Sequence, residues 1–513
     1  MKKSLFLTAA LFLASWTFAD VQLRIQPDYY LPSDDSLSSA FEGTVALDFA
    51  PFTVRGRDSI YLSLQGNYGI VQADGIENMN FQGGAAALGY DCRFSDRFSL
   101  ALEGFYGIWS VPESKENGFS SASGLSYGGR LFANFYAMPE LSIGAFGGYK
   151  ILDGFINTAE IGLCLKYNFS KGILGSSALS ALDYEVDPVV PVFYSHYNDH
   201  PFGKIVLVNG EKNRITDVEV KFFVEKFMAT PHLAAEFDSV GMYESFTADL
   251  TAFLNESILN QLLASNSEAR VIVSYKSLGK SMEFVQDLSL VTLGRNNMSW
   301  DEDERAAAFV SGKDASANKF ANLVRIVLKE KIDSSRNLGE QYARGMYAAL
   351  KAYGINYVID PASSFKDNVG TAAVDFLQFP YQTILYHGGD CDDLTILNCS
   401  LLEALGIPTA MITVPGHIYM AFDSGYSVAE ASKVADGNYI IQNGKVWIPV
   451  EITLCQSTYA NAKATGMREW KQAGKNAKLI PIADAYQKYK PISIPDSDIN
   501  FELPAKEKIL ANY

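Results

Sequence analysis

Between Val21 and about Ser170, apolar and polar side chains alternate with a period of two, run after run. In the last of these runs Ala159, Ile161, Leu163, Leu165, Tyr167 and Phe169 point one way, and Glu160, Gly162, Cys164, Lys166 and Asn168 the other. The pattern recurs at Phe41/Gly43/Val45/Leu47/Phe49 and at Ile60/Leu62/Leu64/Gly66/Tyr68/Ile70. It returns at Phe98/Leu100/Leu102/Gly104/Tyr106/Ile108, Leu131/Ala133/Phe135 and Leu141/Ile143/Ala145. A period of two marks β-strands with two unlike faces. About eight runs are present, each near the roughly 9–11 residues of a tilted membrane strand. Phe81–Phe94 alternates least well. Links near Thr53, Ser95 and Met138 read as tight, and those near Ser36, Gly75 and Glu116 as longer and polar.

This predicts an eight-stranded antiparallel β-barrel over residues 20–170, with a soluble β-sandwich as the alternative. The segment resembles the small outer-membrane barrels, with an aromatic, Phe169, closing the final strand. The face opposite the apolar one carries Arg24, Glu42, Glu103, Arg130, Lys150, Glu160 and Lys166. Mixed charges inside a small barrel pair and fill it, so no open channel is expected.

Ahead of the barrel, Lys2 and Lys3 precede an apolar run from Leu5 to Phe18, and small residues around Ala19 suit a peptidase. Residues 1–19 thus read as a secretory signal peptide. Beyond it no apolar run approaches the ~20 residues of a membrane helix. Residues 171–187 read as a linker, first rich in Gly, Ser and Ala, then polar. Over 188–295, Ile205–Val208, Val218/Val220/Phe222/Val224 and Val271/Val273/Tyr275 alternate, Phe246–Leu250 adds a strand, and Asn209-Gly210 signals a hairpin. An immunoglobulin-like β-sandwich is expected there. His196, His200 and His232 are scattered over it and read as solvated or hydrogen-bonded side chains. From Asn296 the character turns helical, Ser299 to Glu302 having the form of a capping box. The last residues, 491–513, read as an extended polar tail.

Net charge is -16, and no basic cluster, phosphate-binding loop or GxGxxG is present. A nucleic-acid partner is therefore not expected. The five cysteines, Cys92, Cys164, Cys391, Cys399 and Cys455, do not form a disulfide framework.

Chemistry concentrates in Tyr386–Asp423, YHGGDCDDLTILNCSLLEALGIPTAMITVPGHIYMAFD. Gly388-Gly389 is a loop, Asp390 takes the N-cap position, and Asp393 follows three residues later. Leu394, Leu397, Leu401 and Leu405 recur at helical spacing before Gly406 and Pro408. Cys391 then lies on the first turn of a buried helix, where the helix dipole favours a thiolate and the flanking carboxylates oppose it. A base must be near. Pro415-Gly416-His417 opens a strand, and Val446–Glu451 forms another ending in an acid. A thiol, a histidine and an acid on three adjacent elements are what a Cys–His–acid triad requires. Asp423 is the rival acid, but it lies six residues along the strand from His417, roughly 20 Å away.

These residues resemble the transglutaminase-like superfamily with its papain-like layout, and within it the bacterial exported cysteine peptidases. The resemblance covers about Ala306–Ile482 through GDCDD, the PGH strand and WIPVE. It implies an α+β transglutaminase-like domain over 296–490, with Cys391 as nucleophile, His417 as general base and Glu451 as orienting acid. The family more often has Asp at the last position. Gln378 is a candidate oxyanion donor beside the Cys391 backbone N–H. No cofactor or metal is expected, since no CxxC or HxxxH spacing supports a site built on His387, Cys391, His417 and Cys455. The multidomain chain is thus expected to be an envelope-anchored thiol enzyme acting on peptide or isopeptide amides, as a peptidase or cross-linker. Its substrate would be an envelope peptide or protein. Eight strands that start in the periplasm also end there, which puts the later domains on that side. A non-catalytic binding module anchored by the barrel is the alternative, and a surface adhesin acting through the barrel's outer loops is a third reading.

Overall fold

The computed structural model describes residues 20–513, apart from 33–36, 55, 74–75, 114–119, 173–176, 335–336, 360–373, 435 and 496. The signal-peptide reading of 1–19 and the loop residues Ser36, Gly75 and Glu116 fall outside the described residues.

The first strands are β1 (Asp20–Pro32), β2 (Leu37–Val54), β3 (Asp58–Ala73), β4 (Ile76–Arg93), β5 (Phe98–Val111), β6 (Ala122–Tyr136), β7 (Leu141–Leu152) and β8 (Ile156–Asn168). They form a closed antiparallel barrel, sealed where β1 pairs β8 from Gln22↔Asn168 to Pro32↔Thr158. The period-two reading holds. Phe41, Leu64, Leu102, Ile108, Leu131 and Leu163 are exposed on the outer wall, while Arg24, Glu42, Glu103, Arg130, Lys150, Glu160 and Lys166 are buried inside. The inner charges pair as expected. Arg24 meets Glu103 at 2.6 Å and Asp48 at 3.1 Å, Arg130 meets Glu160 at 2.6 Å, and Lys150 meets Glu42 at 2.7 Å.

Strands β3 and β4 stay paired as far as Ala73↔Ile76. The weak alternation of β4 reflects small inward residues whose space is filled from next door. A Cβ on Gly89 would lie 2.1 Å from the Tyr61 ring, so glycine is what admits that ring.

Seven strands follow: β9 (Leu179–Val186), β10 (Gly203–Asn209), β11 (Ile215–Phe223), β12 (His232–Val240), β13 (Ser245–Asp249), β14 (Ser265–Ser277) and β15 (Lys280–Thr292). They make a three-stranded sheet, β13-β10-β9, and a four-stranded sheet, β12-β11-β14-β15. The inward residues of both, among them Ile205, Leu207, Val220, Phe222 and Val273, share one core. The stretch read as linker therefore contains β9. Asn209-Gly210 is a crossover between sheets, not a hairpin, because the buried Asn209 amide donates to the carbonyls of Asn213 and Gly241 at 3.0 and 2.9 Å. The turns of these sheets dock on one end of the barrel. Tyr243 Oη donates to the Gly56 carbonyl at 2.5 Å, Lys212 Nζ to Ser59 at 2.7 Å, and Lys280 pairs with Glu140 at 3.0 Å. A polar cavity of about 640 Å³ lies at this junction, lined in part by Asp48, Tyr61, Lys166, Glu211 and Lys212.

The last region opens with β16 (Asn297–Ser299), which pairs with β18 (Val374–Phe376); β17 is Asn356–Tyr357. Ser299 to Glu302 is thus a strand end leading to a 3-10 turn, Asp303–Phe309, and caps nothing. The first helix, α1 (Ala315–Leu328), is capped instead by Asp314, which accepts from Ala317 N. Helices α2 (Leu338–Tyr353), α3 (Pro380–Tyr386) and α4 (Cys391–Glu403) follow, with β19 (Gly388–Gly389) before α4. The main sheet is antiparallel, in the order β22-β23-β21-β20-β24. Its strands are β20 (Thr409–Val414), β21 (His417–Ser427), β22 (Ile440–Gln442), β23 (Lys445–Val450) and β24 (Lys478–Pro481). Helix α5 (Tyr459–Ala473) follows β23. Leu394, Leu397 and Leu401 bury one face of α4 in the core it shares with Ile412 and Tyr419. The stretch read as an extended polar tail is anchored by buried Ile492, Ile494 and Ile509 and ends in helix Lys506–Asn512.

Candidate functional site

Helix α3 stops at His387, which takes a left-handed conformation (φ 57) and stacks on Tyr353 at 4.4 Å. Gly388-Gly389 then pairs in parallel with Asn356-Tyr357. A Cβ on Gly389 would stand 2.5 Å from Asp393 Cβ, so only glycine lets the chain enter the helix this closely. Asp390 and Asp393 form the expected capping box, and Cys391 is the first residue of α4. The thiol is buried, and the Ile418 N–H reaches its sulfur. That contact places Cys391 against the first residues of β21, next to His417.

His417 begins β21 because Pro415-Gly416, with Gly416 at φ 74, forms the tight turn of the β20–β21 hairpin. β21 pairs with β23 through Met420↔Val450. Continuing that register sets Glu451 opposite Tyr419, on the face that His417 shares by period two. His417 Nε2 lies 2.7 Å from Glu451 Oε2. The other Glu451 oxygen accepts from Thr453 N at 3.0 Å and Thr453 Oγ1 at 2.5 Å, which fixes the carboxylate at both ends. With Nε2 engaged, Nδ1 is the ring nitrogen left for a thiol proton.

The electrostatics follow from burial and partners. Burial alone would lower the proton affinity of His417, but the hydrogen bond and charge of Glu451, helped by Glu469 and Asp390, raise it above the usual histidine value. Burial would raise Glu451, and the His417 partner instead holds it below the usual carboxylate range. The Cys391 thiol is pushed up, first by burial and then by Asp392 and Asp390. Asp392 is itself held well above the usual carboxylate range, by burial first and then by Asp390 and other neighbouring acids. In this arrangement the Cys391 thiol lies against Ile418, the residue after the imidazole that carries its own acid.

Gln378 is held at the start of α4, its backbone N–H donating to Asp393 Oδ1 at 2.7 Å. Asp423 pairs with Lys445 at 3.0 Å, so it is engaged away from His417. Cys399 and Cys455 are buried and donate to the carbonyls of Ala410 and Ile452. His196 and His200 stack on each other at 3.8 Å in the middle region. Among the described residues, two groups bring donor atoms within 4.8 Å of one another: His417/Glu451/Glu469 and Asp390/Asp392/Asp393. In the first, the lone pairs a cation would take are used by the bond between His417 and Glu451; in the second, Asp393 accepts from the Gln378 and Asp390 N–H groups. Sequence reasoning missed Glu469. It lies on α5 with no motif around it, and only the packing of α5 over β21 and β23 brings it to the site.

The architecture is a closed eight-stranded barrel followed by a two-sheet region and an α+β region that holds the thiol. No protein family and no curated protein matches the chain. Among solved structures, the barrel is similar to Neisserial surface protein A (13% identity, TM-score 0.23), covering 29% of this chain and 97% of that one. The attachment invasion locus protein Ail of Yersinia pestis matches with 15% identity and TM-score 0.23, over 29% of this chain and 97% of that one. The N-terminal β-barrel domain of Pseudomonas aeruginosa OprF matches at 13% identity and TM-score 0.19, with the same coverage of 29% and 97%.

Proposed function

We propose that this chain is an outer-membrane-anchored thiol enzyme of transglutaminase-like type, acting on peptide or isopeptide amides through an acyl-thioester at Cys391. The observation that carries this reading is the 2.7 Å bond from His417 Nε2 to Glu451, made beside a thiol at a helix N-terminus. In the reaction, His417 Nδ1 takes the thiol proton as the sulfur attacks the carbonyl carbon, and Glu451 balances the imidazolium. The Cys391 backbone N–H and Gln378 face the developing oxyanion. His417 then returns the proton to the leaving amine, and water or a second amine releases the acyl group. The barrel's exposed apolar wall, including Leu62, Leu64, Leu102 and Leu163, supports insertion in a bilayer, with the later regions on the periplasmic side.

Turnover of envelope-derived peptides by the full chain in detergent tests the reading. Cys391→Ala is expected to remove it, and Glu451→Gln to lower kcat by on the order of 10⁴-fold, as for other orienting acids. Full turnover in Cys391→Ala would sink the assignment.

A second reading has its own support. The buried, raised thiol is what a binding groove on the same scaffold would tolerate, since burial makes a thiol inert. It predicts that Cys391→Ala leaves partner affinity unchanged and that Cys391 alkylates slowly with an ordinary pH profile.

A further inference from the structure

We propose that Glu469 is a positioning residue for His417: its carboxyl donates a shared proton to Glu451, so the acid that orients the imidazole is a carboxyl–carboxylate pair. This rests on the reading of His417 as a base. Helix α5 carries Glu469 over the end of the β21–β23 ladder, placing its Oε2 3.9 Å from His417 Nε2. Donor atoms of Glu469, Glu451 and His417 all lie within 4.8 Å of one another. That Oε2 is enclosed, and no N–H or O–H of the described residues donates to it. Two carboxylates at this spacing share one imidazolium, which can balance only one of them. A proton held between the two carboxyls removes the second charge.

The surroundings do not supply another neutralising partner of comparable weight. Arg468 acts from the same helix, but less strongly than Glu451 and His417. From β21 come His417 and Tyr419, whose hydroxyl donates to the Gly466 carbonyl at 2.9 Å. Asp390 faces His417 from the start of α4, adding negative charge. Facing Glu451 are the Cys391 and Cys455 thiols and the Tyr347 and Tyr357 phenols, all neutral near pH 7. Consistent with the geometry, burial and then Glu451 push Glu469 up to about 7.

The consequence is a linked titration. While Glu469 keeps its proton, His417 faces one carboxylate. When Glu469 ionises, the second charge stabilises the imidazolium, and His417 keeps its proton to higher pH. The base is therefore freed later than Glu451 alone would dictate.

The test is the imidazole titration of His417 by nitrogen-15 NMR on the full chain in detergent, with its signal assigned by loss in His417→Asn. The chain has five histidines, so the spectrum is tractable. In the native protein His417 is expected to report two steps, one near pH 7 and one higher. Glu469→Gln keeps a donor to Glu451 but cannot ionise, so a single step at lower pH is expected. Glu469→Ala should also shift it downwards. A His417 titration identical in all three proteins would overturn the proposal, as would a single native step at or below about 6.5, the ordinary histidine value. The readout needs no substrate. An unreactive Cys391 with the linked titration intact would sink the enzyme reading alone, whereas turnover with an unchanged titration would sink the carboxyl pair alone.

Discussion

Inside the barrel, buried acids meet buried bases: Glu103 faces Arg24 and Arg130, Glu160 faces Arg130, and Glu42 faces Lys150. At the start of α4 the burial is as deep and the balance is different. The charges that act on Asp392 are those of other acids, Asp390, Asp393 and Asp375. Glu451 and Glu469, close by, have a single histidine between them. Opposite charges in a low-dielectric interior neutralise each other and set a fixed structure. Like charges there are neutralised by protons, which come and go with pH. The barrel's polar core is thus held largely by paired charges, and the thiol region is a place where protonation and structure are tied together.

The largest effect expected from breaking this contrast lies in the barrel. Arg130→Met would leave Glu160 without its 2.6 Å partner and Glu103 with one cationic partner in place of two. Removing one side of a buried pair costs about 3–5 kcal/mol. Urea unfolding of the barrel in detergent should show that loss, with the midpoint falling at every pH tested. An unchanged midpoint would mean that water fills the space and solvates the acids.

A smaller effect, with a pH signature, is expected at the helix start. Burial raises Asp392 well above the usual carboxylate range and Asp393 to about 8, so the folded state binds protons that the unfolded chain has released above about pH 4. Stability contributed by these protons is present at low pH and declines as pH rises towards the folded values. The slope is at most ~1.4 kcal/mol per pH unit for each group. Melting temperatures of the full chain between pH 5 and 8 should fall for the Cys391 region, and Asp392→Asn should flatten that decline. A decline as steep in Asp392→Asn as in the native protein would place the protons elsewhere.

How much was legible in the sequence follows the same division. The barrel could be read because each strand repeats one rule, and its exceptions are cooperative ones: Gly89 is small because Tyr61 is large. The start of α4 was also readable, since Gly389, Asp390 and Asp393 are local signals within five residues. The pairing of His417 with Glu451 was inferred from two strand ends, and the register of β21 on β23 supplies the physical reason it works. Glu469 was invisible because its role comes only from the packing of α5. The Asn209-Gly210 turn misled because its dipeptide is a hairpin signal, whereas a buried Asn amide uses the same residues to change sheets. Ser299 to Glu302 misled in the same way, since a cap pattern has no meaning until a helix follows it directly.

The smallest effect concerns how the two kinds of interior are joined. The sheets of the middle region hold the barrel through turn residues, and one of these contacts is a single neutral hydrogen bond from Tyr243 to the Gly56 carbonyl. Tyr243→Phe removes the hydroxyl and keeps the ring. The expected loss is about 1 kcal/mol, the usual net value for such a bond, and less if water replaces it. It should appear as faster hydrogen exchange at the β2–β3 turn and around Met242, with exchange in β21 and α4 unchanged. Faster exchange that reached His417 would show that the docking of the barrel is felt at the thiol site, and the two regions would then have to be treated as one cooperative unit.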